Sequence, residues 1–487
     1  MTATSKAPLH AVAAAARRVG VRAISKLVTT GHPRAAAVLV SFLFPEAGRR
    51  RAHLARRSMA HSSRIVHIFD PGLGPPLGHA LNFDRAIVTE VERWPGVGCM
   101  IWGRLDLDRD VRALLPLLPF FVKGAWWRRR ASSPRTGPEI RAEGANMGAR
   151  EKRKARRATG WNEFHRLRLC DLAPGVIAPG DLAIFHSFLR WSAAGIAGWL
   201  RDPSSSEATV VLYFMFTDYL DGSGDLRPEY AELLDALAAR SGKRIFILAE
   251  TREIRDDLIR LADRRLVIEI APHVAASAIF EELRTKRRRS AASPFIRIGY
   301  AGHNRRDRGA HLIPGVVERV TARTSRSVCF SVHFEDPTAQ VQEARLLSSM
   351  SLVDFRSGIL RAEEFYDLLA SMDIMLLPYE PGERTQRRGS GIFSEALALG
   401  LVMVLPGGSH LALEAARYGA GFTSYEKWDP GSIADSALAA VEDFERLEGM
   451  ARAAAERWAE ERRLSTFIDR VLAMGDTDAV HLRTRSG

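Results

Sequence analysis

Short apolar runs alternate with amphipathic helical stretches along most of this chain, and they do so in two separate series. The first series comprises RIVHIFD (64–70), VGCMIWG (97–103), DLAIFHSF (181–188), TVVLYFMF (209–216), RIFILAE (244–250) and LVIEIAPHV (266–274), with helical periodicity near 80–93 and 228–240. Unbroken apolar runs of this length suit strands buried on both faces, as in parallel sheets covered by helices. The second series has strands at FIRIGY (295–300), 328–334, 350–355, DIMLLPY (373–379) and LVMVLP (401–406). Helices are expected at 311–323, 338–348, 362–371 and 409–418, and an alanine-rich helical region covers 431–475. Strand and helix in strict alternation make an α/β fold with doubly wound sheets. A length of 487 residues exceeds one core, so two domains are expected. Residues 280–293 have linker composition, and the boundary is expected there, between domains at 62–285 and 290–460, with a C-terminal helix at 461–487 packing back on the first.

The net charge of +13 is unevenly placed. Residues 1–64 carry a net +11 and residues 122–169 a net +10, so the rest of the chain is acidic. Such attachments suit an anionic partner. In residues 1–61 the basic positions interleave with Val12, Val19, Ile24 and Leu27 and with AAAVLVSFLF (35–44). Ten apolar residues fall short of the roughly 20 that span a bilayer, so an interfacial helix on an anionic membrane surface is expected. The basic loop 122–160 is a second contact of that kind. The basic runs lack interleaved stacking aromatics apart from Trp126 and Trp127, which argues against nucleic acid. No small-residue cleavage site follows the twin arginines Arg17–Arg18, and three distant cysteines make neither a disulfide framework nor a zinc site. A cytoplasmic protein, peripheral at the membrane face, is the expectation, and no metal ion is expected.

Three glycine-rich turns follow strands. PGLGPPLGH (71–79) supplies Gly74, Gly78 and His79 at a helix start, where free amides reach an anion or a hydroxyl. Its spacing departs from a dinucleotide fingerprint, because Leu77 stands where glycine is needed. GYAGHNRRDRG (299–309) offers Gly302 with Arg305, Arg306 and Arg308, whose guanidinium forks match phosphate oxygens. RRGSGIFSEALALG (387–400) repeats the pattern with Arg387, Ser390 and Gly391 ahead of a helix carrying Glu395. An anion would meet Ser390 and the first free N–H groups of that helix. Glu395, one turn further in, is placed to accept hydrogen bonds from sugar hydroxyls. Phosphate at the turn and ribose on the carboxylate make a nucleotide; the alternative is a capped helix with an exposed glutamate.

The run through YAGHNRRDRGAHLIP, LRAEEFYDLLASMDIMLLPY and SGIFSEALALGLVMVLPGGSH resembles the GT-B glycosyltransferases, in particular the retaining enzymes of glycosyltransferase family 4. The resemblance covers residues 295–425. It implies a GT-B fold, two Rossmann-like doubly wound domains facing across a cleft. Glu395 matches the second acid of the family's Glu–seven residues–Glu motif, which holds the nucleotide ribose. The first acid falls on Arg387, a departure from the pattern. The resemblance also makes His186 of FHS (185–187) a candidate near the reaction centre and Arg308 a stabiliser of the departing diphosphate.

The implied function is transfer of a hexose-type sugar, with retention, from a UDP- or GDP-sugar to a hydroxyl of a glycan or lipid-linked acceptor. The nucleotide sugar enters as substrate and no other cofactor is implied. An epimerase or hydrolase of the same fold and a noncatalytic glycan-assembly protein stay open.

Overall fold

A computed structural model describes residues 64–73, 79–104, 115, 117–121, 177, 180–201, 208–221, 223–240, 244–262, 266–289, 294–336, 338–381 and 389–473. The basic segment 1–61, the loop 122–160, Gly74, Gly78 and Arg387 lie outside the described residues.

The described residues divide into two compact units. The first runs to Ala249 and takes in Arg255–Glu269 and the residues from Ile468; the second holds Glu250–Ile254 and Ile270–Phe467. The first sheet contains β1 (Arg64–Phe69), β2 (Val97–Arg104), β3 (Leu117–Phe121), β4 (Leu182–Phe185), β5 (Thr209–Phe214), β6 (Ile245–Ala249) and β7 (Ile268–Ile270). Its order is β3-β2-β1-β4-β5-β6-β7, and the pairs from β3 through β6 are parallel. Helices α1 (His79–Glu92), α2 (Arg190–Leu200), α3 (Pro228–Ala238) and α4 (Arg252–Leu261) accompany these strands. Order reverses between β1 and β4, where Phe69 pairs in register with Phe185. Ligands of open α/β sheets bind beyond the carboxyl ends of strands at such a switch point.

The second sheet contains β8 (Ile296–Tyr300), β9 (Val328–Phe334), β10 (Val353–Ser357), β11 (Ile374–Leu376), β12 (Val402–Pro406) and β13 (Phe422–Tyr425). Its order is β10-β9-β8-β11-β12-β13, parallel throughout, with the reversal between β8 and β11. The accompanying helices are α5 (Ala278–Arg289), α6 (Ile313–Arg323), α7 (Val341–Ser349), α8 (Ala362–Ala370), α9 (Gly391–Leu399), α10 (His410–Arg417), α11 (Pro430–Glu442) and α12 (Phe444–Glu461). The last helix, α13 (Leu464–Ala473), belongs to the first unit from Ile468 onward. One apolar layer joins Ile298, Phe330 and Val404 to Val316 and Val441; the other joins Met375 and Met403 to Phe393, Leu397 and Trp458. Both faces of the sheet are thereby covered, which is why its strands read as unbroken apolar runs.

Two expectations are corrected. The supposed linker 280–293 is helix α5 as far as Arg289. Its arginines face protein as well as water: Arg284 donates to the carbonyl of Ala398 (2.8 Å), and buried Arg287 donates to the carbonyls of Met372 and Gly400. The strand expected over 266–274 shrinks to Ile268–Ile270. Beyond it His273 turns the chain, its Nδ1 accepting from Ala275 N–H at 3.1 Å.

Candidate functional sites at the two switch points

In the second unit the loop after β8 and the segment after β11 are neighbours because their strands are paired. Gly302 has φ 106°, and a Cβ there would lie 3.3 Å from Ile392 in the first turn of α9. Gly309 has φ 73°, and a Cβ there would meet the carbonyl oxygen of Pro378 at 2.1 Å. Only glycine gives this backbone both its left-handed conformation and its closeness. Glu380 N–H donates to Asp307 O at 3.1 Å, completing the clamp.

Within this frame Arg308 stacks on the Tyr379 ring, its guanidinium carbon 4.1 Å from the centroid. Arg305 is half exposed and pairs with Asp307 at 3.1 Å, and Arg306 is exposed. Ser390 caps α9 in the manner expected, its Oγ accepting from Phe393 N–H at 3.4 Å. The same Oγ lies 2.8 Å from the Tyr379 hydroxyl. Gly400, left-handed at φ 69°, closes the other end of the helix. The structure therefore brings Gly302, Arg308, Ser390 and Gly391 into one loop cluster, with Tyr379 at its centre.

Glu395 is not the exposed glutamate of the bland alternative. It is 6% exposed, in a helix buried from Phe393 through Leu399. Its Oε2 has no hydrogen-bond partner. Burial pushes the carboxyl up to about 8, so without ligand it holds its proton at neutral pH. An unpartnered buried carboxyl is costly on its own, and a ligand hydroxyl would satisfy it.

In the first unit, Asp70 follows β1, Asp84 lies on α1 and His186 follows β4; all three are fully buried. His186 Nε2 sits 2.7 Å from Asp84 Oδ1, and Nδ1 sits 3.0 Å from Ser187 Oγ. Asp70 Oδ1 accepts from Gly72 N–H at 2.7 Å. Burial holds His186 below its ordinary value, with Asp70 pulling the other way, so its contact with Asp84 is a neutral hydrogen bond rather than an ion pair. Burial raises Asp70 to about 7 and lifts Asp84 well above the carboxylate range. Desolvation is the largest cause of both shifts, and at Asp70 the neighbouring Asp84 adds to the rise. Ser187 has φ 54°, and a Cβ on Gly72 would come within 2.7 Å of Ser187 Cβ. Ligand atoms of Asp70, Asp84 and His186 lie within 4.8 Å of one another, a spacing a metal ion could also bridge. His79 begins α1.

Sequence reasoning found His186 but neither Asp84 nor Tyr379. Asp84 was detectable, because it falls on the apolar stripe Leu81–Asp84–Ile87/Val88–Val91 of α1, all buried. Tyr379 was read only as the end of a strand.

No protein-family profile and no curated protein sequence matches the chain. Solved structures do. HepE of Anabaena in complex with UDP aligns with a TM-score of 0.51 at 12% identity, over 84% of this chain and 98% of its own. The UDP-GlcNAc 2-epimerase of Neisseria meningitidis, bound to UDP-GlcNAc, aligns with a TM-score of 0.51 at 13% identity, over 84% and 100%. A glycosyltransferase of Rickettsia africae gives 0.50 at 9% identity, over 85% and 98%. Identities this low speak for the fold alone. With two Rossmann-like sheets that each reverse order at a central strand pair, the chain has the two-domain α/β architecture of the GT-B proteins.

Proposed function

We propose that this protein is a glycosyltransferase that binds a nucleotide-diphosphate sugar in its second unit and transfers the sugar to a hydroxyl. The observation that carries the reading is the joining of two loops at one switch point. Arg308, Ser390 and the first turn of α9 are set for an anion, and the buried, unpartnered Glu395 lies one turn deeper. That order suits a diphosphate outside and a ribose within. Binding of UDP, or of UDP with glucose, by proteins of this fold supports it.

As the glycosidic bond to phosphate breaks, negative charge gathers on the departing diphosphate. Arg305, Arg306, Arg308, the Ser390 hydroxyl and the free N–H groups at Gly391 would stabilise it, and removing one preorganised donor of this kind costs about 10²–10³ in rate. Arg387, three residues before Ser390 in the sequence, would add charge. Retention, a hexose-type donor and a glycan or lipid-linked acceptor follow from the family resemblance. The basic segments 1–61 and 122–160 would hold the protein at an anionic membrane surface. No helix among the described residues is long and apolar enough to cross a membrane.

A second reading, an epimerase or hydrolase acting on the nucleotide sugar alone, is favoured by the first unit. Two buried carboxyls raised toward neutrality or above it, beside a neutral histidine at a switch point, are groups that can exchange protons with a substrate. Nucleotide release from a panel of UDP- and GDP-sugars, with and without an acceptor glycolipid fraction, separates the two. Acceptor-dependent release supports transfer, acceptor-independent turnover supports the second reading, and no turnover of any donor rejects both.

A further inference from the structure

Tyr379 is 5% exposed and touches both anion-facing loops. Its backbone is held in place: Tyr425 O–H lies 3.1 Å from Leu377 O and 2.8 Å from Tyr379 O, and Trp428 Nε1–H donates to Pro378 O at 2.8 Å. Its hydroxyl has one hydrogen-bond partner among the described residues, Ser390 Oγ at 2.8 Å. Either hydroxyl can be the donor of this bond; when Tyr379 O–H donates, the phenol proton is satisfied and the Ser390 proton is left for an anion. Ser390 Oγ has two lone pairs and one proton. One lone pair takes Phe393 N–H, and in that arrangement the other takes Tyr379 O–H. What is left to Ser390 is its own O–H, a donor, beside the amino end of α9. The Tyr379 ring also carries the Arg308 guanidinium at 4.1 Å, and no carboxylate among the described residues pairs with that arginine.

Resting on the donor-site reading above, we propose that Tyr379 is a positioning residue for the diphosphate: its hydroxyl commits Ser390 to donate, and its ring holds Arg308 toward the same anion. One side chain thus coordinates both loops. The expected ligand chemistry is two linked phosphates, because two separated donors are fixed relative to one another.

The test is calorimetry with inorganic pyrophosphate, UDP and GDP on the full-length wild type, Tyr379→Phe, Tyr379→Leu, Ser390→Ala and the Tyr379→Phe/Ser390→Ala double variant. Tyr379→Phe is expected to weaken pyrophosphate binding about 5- to 10-fold, the effect of about one hydrogen bond. The double variant is expected to bind no more weakly than the poorer single, because both changes remove the same donor. Tyr379→Leu should lose several-fold more than Tyr379→Phe by releasing Arg308. Wild-type affinity in Tyr379→Phe, additive losses in the double variant, or equal affinity of the Leu and Phe variants would each overturn the proposal, as would a wild type that binds no pyrophosphate. A wild type that binds pyrophosphate with the expected pattern but neither nucleotide would uphold Tyr379 and reject the nucleotide-sugar reading.

Discussion

Nε2 of His186 lies 2.7 Å from Oδ1 of Asp84, and neither side chain is exposed. The bond joins the end of β4 to the middle of α1, so it fixes both the helix and the tautomer of the ring. Asp84→Ala leaves the buried Nε2 of His186 without its hydrogen-bond partner and should cost about 1–3 kcal/mol. Urea unfolding with an unchanged m-value checks this. Stability equal to wild type would mean that the pair does not form.

The Glu395 carboxyl, raised from 4.5 to about 8 by burial, makes stability depend on pH. The folded chain holds that proton more tightly than the unfolded chain. The contribution is therefore complete below about pH 4.5 and is lost as pH rises toward 8. Asp70, raised to about 7, acts in the same direction, while His186, His311 and His333, held low by burial, act oppositely. The informative quantity is the melting temperature of Glu395→Gln relative to wild type. Because glutamine mimics the protonated acid, this difference should rise between pH 5 and pH 8. A difference independent of pH would show that Glu395 is not a buried acid.

Gly309 and Gly408 share left-handed backbone, φ 73° and 63°, but only Gly309 faces a neighbour, the Pro378 carbonyl. Gly408→Ala should cost about 1–2 kcal/mol from backbone strain alone. Gly309→Ala adds a steric clash of about 1–3 kcal/mol and should also weaken nucleotide binding by pushing the two loops apart. Chemical denaturation of the two variants side by side measures the gap. Equal losses would count against the clamp.

Much of the fold was legible because each apolar run is a strand covered on both faces, and Ser390 announced its helix through cap chemistry. What escaped was long-range. The cluster at the first switch point joins Asp84 to a histidine 102 residues away. Helix α5 was missed because an Arg-rich stretch reads as solvated linker, whereas buried Arg287 turns its donors on the carbonyls of Met372 and Gly400. Local composition cannot show which guanidinium finds buried acceptors. Arg287→Ala strands those carbonyls and Asp373, and should destabilise the second unit by about 1–3 kcal/mol, read as a lower urea midpoint. An unchanged midpoint would return α5 to the status of a linker.

The central claim is a nucleotide site at the amino end of α9 with Glu395 beneath it. Titration calorimetry of UDP and GDP into wild type and Glu395→Ala tests it most directly. One nucleotide is expected to bind the wild type and to bind Glu395→Ala at least 10-fold more weakly, with both proteins folded by circular dichroism. Nucleotide binding that is unaffected by the substitution, or absent from the folded wild type, would contradict the claim.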